Sequence, residues 1–369
     1  MQVLAWCGFF ATVALILAID LGVFNRHVHV IKTKEAIRFT AILAVFAVLF
    51  SIPIYYLYQN QIWGFGQLHR VVKGVPTVER ITGLDAVWMY LAAYLLELSL
   101  STDNVFVMAV IFKVFRIPRL YQHRVLFWGI MGALILRGIM IGVGAAVVKR
   151  FDWMMYVFGF FLIWTGWKML FLKEHTDEHP EDHWYVNLTR KFLRVSPKIE
   201  GDHFITHVPV QTPNGESVMK WAVTPLFLAL IVVEFTDVIF AVDSIPAVFG
   251  ITQDPFIVFT SNIFAILGLR SLYFAVASLI SMLRFLKPCL AVLLAYIGVK
   301  MIVVQHYDLH PGALVSVAPI VLILTVGIML SRFLPLPPPE PLPVELPTDD
   351  TMLGSEPEIQ IETPGVKKT

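Results

Sequence analysis

Apolar residues run almost unbroken for about twenty positions in nine places along this chain, with short polar stretches between them. Runs of that length read as α-helices crossing a hydrocarbon layer about 30 Å thick, because backbone groups there must be satisfied within their own segment. They cover roughly residues 4–24, 37–58, 84–112, 123–148, 153–172, 221–250, 255–283, 286–305 and 312–334. The first is distinct from a secretory leader: residues 1–19 lack a basic start, and the run exceeds a signal core in length. It reads as a retained span.

Composition narrows this to an all-α polytopic membrane protein. The 369 residues are 57% hydrophobic and only 15% charged, whereas soluble domains carry about 25% charged residues. Too few charges remain to cover two or three soluble domains. The 28 Lys plus Arg nearly balance the 27 Asp plus Glu, so there is no basic field to hold a nucleic acid backbone. Cys7 and Cys289 both lie in apolar runs, which excludes a disulfide scaffold and a thiolate metal cage.

Loop charges set the expected direction, since short basic loops stay cytoplasmic. Alternate loops carry 19 Lys and Arg on one side and 5 on the other, which puts the N-terminus outside and the C-terminus in the cytoplasm. On the cytoplasmic side, the 48 residues from 173 to 220 contain HFITHVPV and ESVMKWAV around Pro213, Asn214 and Gly215, the pattern of a β-hairpin. The same loop has His175, His179 and His183 among acids; a solvated acidic loop is the better reading than a metal site. Residues 335–369 hold nine of the 22 prolines and read as a disordered acidic tail.

Apart from those at loop edges and span ends, four cations fall well inside spans: Arg137, Lys168, Arg270 and Lys300. Arg137 in GALILRGIM matches Arg270 in FAILGLRSLY, and Lys168 in TGWKM matches Lys300 in IGVKM. STDNVF matches FTDVIF, placing Asp103 over Asp237. The offsets are 133, 132 and 134 residues. A three-helix unit, residues 84–172, is therefore read as duplicated in 221–305. An odd number of spans makes the second copy enter from the opposite side, the inverted repeat common in secondary transporters. Residues 1–60 form a preceding helix pair, and 312–334 a closing span.

Glu97, Asp103, Glu234, Asp237 and Asp243 fall near span centres, where an isolated charge costs at least about 2.5 kcal/mol. Arg137 and Arg270 can neutralise two of them, leaving about three for a cation or protons. Structural ion pairs between helices would use the same residues, but the surplus of acids favours a cation path. Span three, 29 residues long, would extend about 43 Å as a helix. Glu97 and Asp103 lie about 120° apart on it. Local unwinding is therefore expected at Ser99–Asn104 and at Asp243–Pro246, freeing carbonyls to join the carboxylates. Such oxygen donors, with Asn104, suit hard divalent cations such as Mn²⁺, Mg²⁺ or Ca²⁺. Lys168 and Lys300 are candidates for gating or for anchoring at headgroups. No other cofactor is implied, and no phosphate-cradling loop, nucleophile elbow or zinc helix motif points to an enzyme.

The segments ELSLSTDNVFV, GALILRGIM, FDWMMYVFGFFLIWTGWKM, VEFTDVIFAVDSIPAVFGITQDPFIVFTSNIFAILGLRSLYF and IGVKMIV resemble the TerC/Alx family of integral membrane proteins over about residues 10–330. The resemblance implies manganese export across the bacterial inner membrane, with links to tellurium resistance and alkaline pH. It places the family's acidic motifs on Glu97, Asp103, Asn104, Glu234, Asp237 and Asp243. Some relatives are tied to membrane-protein assembly or stress complexes, so a non-transporting scaffold stands as the alternative.

Overall fold

The computed structural model of the chain describes residues 2–19, 33–72, 75–171, 195–196, 201, 203–211, 217–276, 285–307 and 312–333. Its helices are α1 (Gln2–Ile19), α2 (Thr33–Leu49), α3 (Ser51–Gln59), α4 (Gly83–Val114), α5 (Arg119–Arg150), α6 (Met154–Phe171), α7 (Pro225–Phe249), α8 (Pro255–Val276), α9 (Leu286–Tyr307) and α10 (Ala313–Phe333). Each of the nine apolar runs, among the described residues, lies mainly on helix, although residues 221–223 at the start of the sixth are extended strand. Among the described residues eight helical segments are long and apolar enough to cross a membrane. The run expected to span 255–283 is α8, whose shorter apolar stretch is Pro255–Leu269. The second run divides into α2 and α3 at Phe50. Pro53 explains the break, because its ring crowds the carbonyl four residues back, that of Leu49.

The unwinding expected in the third and sixth spans does not occur. Helix α4 is continuous over 32 residues and α7 over 25. The polar string in α4 satisfies itself on its own helix: Ser99 Oγ donates to the Leu95 carbonyl at 2.7 Å and Thr102 Oγ1 to that of Leu98 at 3.4 Å. Hydroxyls that fold back in this way need no gap in the ladder. Pro246 lies in the last turn of α7, and Gly250 N donates to its carbonyl at 3.0 Å, closing the helix behind it.

Two antiparallel hairpins flank the bundle. Strands β3 (Ile205–Gln211) and β4 (Ser217–Val223) pair with Gln211 opposite Ser217, over the segments read as a hairpin from sequence. Strands β1 (Gln67–Val72) and β2 (Val75–Arg80) form a second, unexpected hairpin, with Val72 opposite Val75. Its signal was present: a Lys-Gly pair between two Val-bearing runs suits a two-residue turn. The acidic loop at 173–194 and the Pro-rich segment at 335–369 lie outside the described residues.

Helix α4 packs on α8, α5 on α7 and α6 on α9, with α4 also on α7 and α5 on α8. The α6–α9 crossing is antiparallel and closes to backbone contact. A Cβ added at Gly159 would lie 2.9 Å from the Gly298 carbonyl, and one at Gly166 would lie 2.6 Å from that of Ala291. Gly159 and Ala291 are 132 residues apart, as are Gly166 and Gly298, the separation of Lys168 from Lys300. Exchanging the two helices therefore maps this contact onto itself.

At the opening of α8, Asp254 Oδ1 accepts from the amides of Phe256 (2.9 Å) and Ile257 (3.3 Å). Burial pushes its carboxyl above the usual carboxylate range, against the pull of Tyr58 and the two amides.

Gly166→Ala should cost about 1–3 kcal/mol, the usual range for overpacking. Gly142→Ala, which meets nothing within 4 Å, should be neutral or slightly stabilising. Melting temperatures in detergent separate the two. Because the Asp254 carboxyl titrates higher folded than unfolded, its contribution is full below the unfolded value of about 3.9 and is lost as pH rises through the folded value. Asp254→Asn should flatten that decline in a series of melts across pH.

Candidate functional site

The heart of the bundle is a charged cluster at the meeting of α4, α5, α7 and α8. Regular helices line up residues at i, i+4 and i+7. On α4 this gives one buried face with Glu97, Ser101 and Asn104; on α7 the same spacing gives Asp237, Ala241 and Ser244. Arg137 of α5 enters between them with 1% of its surface exposed, and Asn262 of α8 is fully buried.

Arg137 uses its whole planar fork. Nε donates to Asp237 Oδ2 at 3.0 Å and Nη2 to Asp237 Oδ1 at 2.9 Å, a bidentate pair. Nη1 donates to Glu97 Oε1 and makes longer contacts with Ser244 Oγ (3.4 Å) and Asn262 Oδ1 (3.5 Å). Asn104 Nδ2 lies 3.4 Å from Asp237 Oδ1. One guanidinium faces two carboxylates, so the trio carries one net negative charge when all are ionised. Charge-assisted bonds of this geometry are among the strongest a side chain makes.

The cluster is not fully satisfied. Among the described residues, Glu97 Oε2, Ser101 Oγ and Asn104 Oδ1 are buried without a hydrogen-bond partner, as is Asn262 Nδ2. Three of these atoms are oxygens from the same face of α4. Unpaired buried polar atoms cost about 1–3 kcal/mol each, and oxygen donors are what a hard cation takes.

The structure brings together three of the six residues expected to bind a cation: Glu97, Asn104 and Asp237. Glu234 lies instead against Gly132 of α5, where an added Cβ would collide with its carboxylate; its Oε2 is buried and unpartnered. Asp243 turns to Thr165 of α6, with Oδ1 3.3 Å from Thr165 Oγ1, and Lys168 lies beside it. Asp103 is half-buried, off the face that carries Glu97 and Asn104. Continuity of α4 and α7 is the reason: without unwinding, neighbouring acids point around the helix. No group of three or more His, Cys, Asp or Glu side chains among the described residues is close enough to hold a metal ion. The side chain of Arg270 lies outside the described residues. Lys300 Nζ donates to the Gly250 carbonyl at 3.2 Å, at the C-terminus of α7, where a cation is favoured. Ser244 and Asn262 were missed from sequence; their helical spacing and their polarity within apolar runs were the available signals.

Removing the cation of this cluster would leave two carboxylates uncompensated, at a cost of about 3–5 kcal/mol. Arg137→Gln should therefore melt well below the parent in detergent, and Arg137→Gln combined with Asp237→Asn should melt above Arg137→Gln alone.

Comparison with known proteins agrees with this architecture. The family described as "Integral membrane protein TerC family" matches residues 82–335. A membrane protein of Myxococcus xanthus, STKORF319, is 45% identical over 312 residues, covering 85% of this chain and 87% of that protein. A membrane protein of Rickettsia bellii is 37% identical over 328 residues, with 89% and 97% covered. A protein of Escherichia coli strain K12 named "Putative membrane-bound redox modulator Alx" is 40% identical over 325 residues, with 87% and 92% covered. No solved structure matches the chain. The chain belongs to the TerC family of integral membrane proteins.

Proposed function

We propose that this protein exports a hard divalent cation, Mn²⁺ in the first place, across the bacterial inner membrane, with its N-terminus outside and its C-terminus in the cytoplasm. The observation that carries the reading is the row of unpartnered buried oxygens on α4, Glu97 Oε2, Ser101 Oγ and Asn104 Oδ1, beside carboxylates held by Arg137. Buried oxygens of this kind suit a cation that binds and leaves. Without a cation the guanidinium holds both oxygens of Asp237 and one of Glu97, leaving one net negative charge for the cargo. An arriving cation competes with Arg137 for Glu97, so cargo binding and ion-pair rearrangement are one event. The same arginine keeps the empty site from being a bare pair of negative charges in lipid. Asp103, Glu234 and Asp243 extend the negative path along the helices.

The inverted repeat is part of this proposal. Its support is the α6–α9 crossing, which maps onto itself under the 132-residue shift, and the pairing of α4 with α8 and of α5 with α7. Two halves of opposite direction around a shared site give alternating access by rocking one against the other.

A second reading has an observation of its own: the bidentate Arg137–Asp237 pair is what a permanent staple between α5 and α7 would use. A scaffold in a stress or assembly complex would need nothing more from the cluster. The name of the Escherichia coli relative speaks of redox modulation; in this chain Cys7 and Cys289 are both free thiols, on α1 and α9.

Proteoliposomes holding the full chain should take up Mn²⁺ in preference to Zn²⁺. Glu97→Gln and Asp237→Asn should each reduce the initial rate by about tenfold or more, the scale of a lost charged interaction of at least 1.4 kcal/mol. Unchanged rates in both, with the proteins folded, would favour the staple.

A further inference from the structure

We propose that the outer face of the β3–β4 hairpin is a lipid contact, seated on anionic phospholipid headgroups of the bilayer that α7 spans. The pairing register sets Ile205 opposite Val223, His207 opposite Trp221 and Pro209 opposite Met219. Side chains two apart on a strand share a face, so Ile205, His207, Met219 and Trp221 stand together. Ile205 is 51% exposed, Met219 59% and Trp221 69%, with the His207 ring 4.3 Å from the indole at a tilt of 47°. The opposite face is used: Thr206 and Ala222 are buried. On that opposite face Lys220 is exposed, and on the first face Val223 is buried at the root; the cluster of Ile205, Met219 and Trp221 remains uncovered, which in water would mark an interaction site.

Three observations point to the bilayer as the occupant. The first is continuity with the membrane-spanning surface. Strand β4 runs through Thr224 directly into Pro225, where the α7 span begins, and Thr224 is tied to the hairpin through bonds with Phe204 and His203. Four residues of extended chain reach at most about 13 Å, so Trp221 stays near the headgroup layer. The second is the residue type. Indole rings with neighbouring cations are the usual furniture of the interfacial belt, where an apolar ring sits among polar heads. The third is charge. Arg124, in the second turn of α5, lies 5.3 Å over the Phe204 ring at the hairpin root. Cations at this end complement anionic headgroups by about 1 kcal/mol each. A hairpin resting on the surface from which α7 enters would hold that end of the helix at a fixed depth.

The test is a depth measurement on the full chain in nanodiscs containing phosphatidylglycerol. In a background with Cys7 and Cys289 replaced by Ser, nitroxide labels are placed by Met219→Cys, Lys220→Cys and Trp221→Cys. Labels at 219 and 221 should collide more often with molecular oxygen, which partitions into lipid, than with a water-soluble nickel chelate. The label at 220 should show the reverse preference. Nanodiscs of phosphatidylcholine alone should shift 219 and 221 toward the chelate. Chelate preference at all three positions would overturn the proposal by placing the face in water. Protection from both reagents at 219 and 221 would also overturn it, because a protein, a second copy included, would then cover the face. A second measurement avoids labels: brominated lipids should quench the fluorescence difference between the parent protein and Trp221→Phe, and absence of quenching would count against the contact.

Discussion

A guanidinium cannot be taken out of water at the centre of a helical bundle unless its charge and its donors are met there. Arg137 is that group in this protein, and the arrangement around it follows from satisfying it. Asp237 presents both oxygens to the fork and Glu97 presents one. These contacts tie α5 to α7 and to α4, and Asn262 brings α8 to the same point. The penalty of breaking such a set exceeds the gain from any single apolar contact, so the cluster fixes the rotation of four helices about their axes. Apolar cores on either side, one built around Phe9, Tyr90 and Phe264 and the other around Leu96, Ile245 and Leu294, then fill the space that those rotations leave.

The same constraint sorts the acids. An isolated pair of adjacent carboxylates gains nothing from facing one arginine if the helix must unravel to let it. Helix α4 keeps its hydrogen-bond ladder and offers Glu97, Ser101 and Asn104 from one face, while Asp103 is turned aside. Helix α7 likewise offers Asp237 and Ser244, and directs Asp243 toward α6. The result is a compact polar centre with oxygens to spare, surrounded by acids that are near in sequence and differently placed in space. For the proposed cation path this separation is useful: a guest ion meets carboxylates in succession, and no single cage binds it too tightly to leave.

Close crossing of α6 and α9 supplies the rigid counterpart. Glycines at 159, 166 and 298 let the two backbones touch, with Ile163 and Ile302 packed over the glycines of the facing helix. Packing of that kind in lipid depends on van der Waals contact because the tails are as apolar as the helices. In the proposed rocking motion this antiparallel pair, one helix from each half and related by the shift that relates Lys168 to Lys300, is the contact about which the halves would turn.

What sequence alone determined is the set of properties that depend on local composition and length. Nine apolar runs define the helices, since hydrocarbon forces each backbone to satisfy itself. The β3–β4 hairpin was legible from two alternating segments around Pro-Asn-Gly, and the need of Glu97, Asp237 and Arg137 for buried partners from the cost of charge at that depth. Tertiary structure decided which of the charged residues meet. Ser244 and Asn262 join the cluster and Glu234 and Asp243 leave it, because partners come from other helices whose rotation no single segment specifies. Expecting the helices to break came from treating all the acids as one site; the intact hydrogen-bond ladder, with hydroxyls folded onto their own carbonyls, is the lower-energy solution, and only the packed bundle shows that one face suffices.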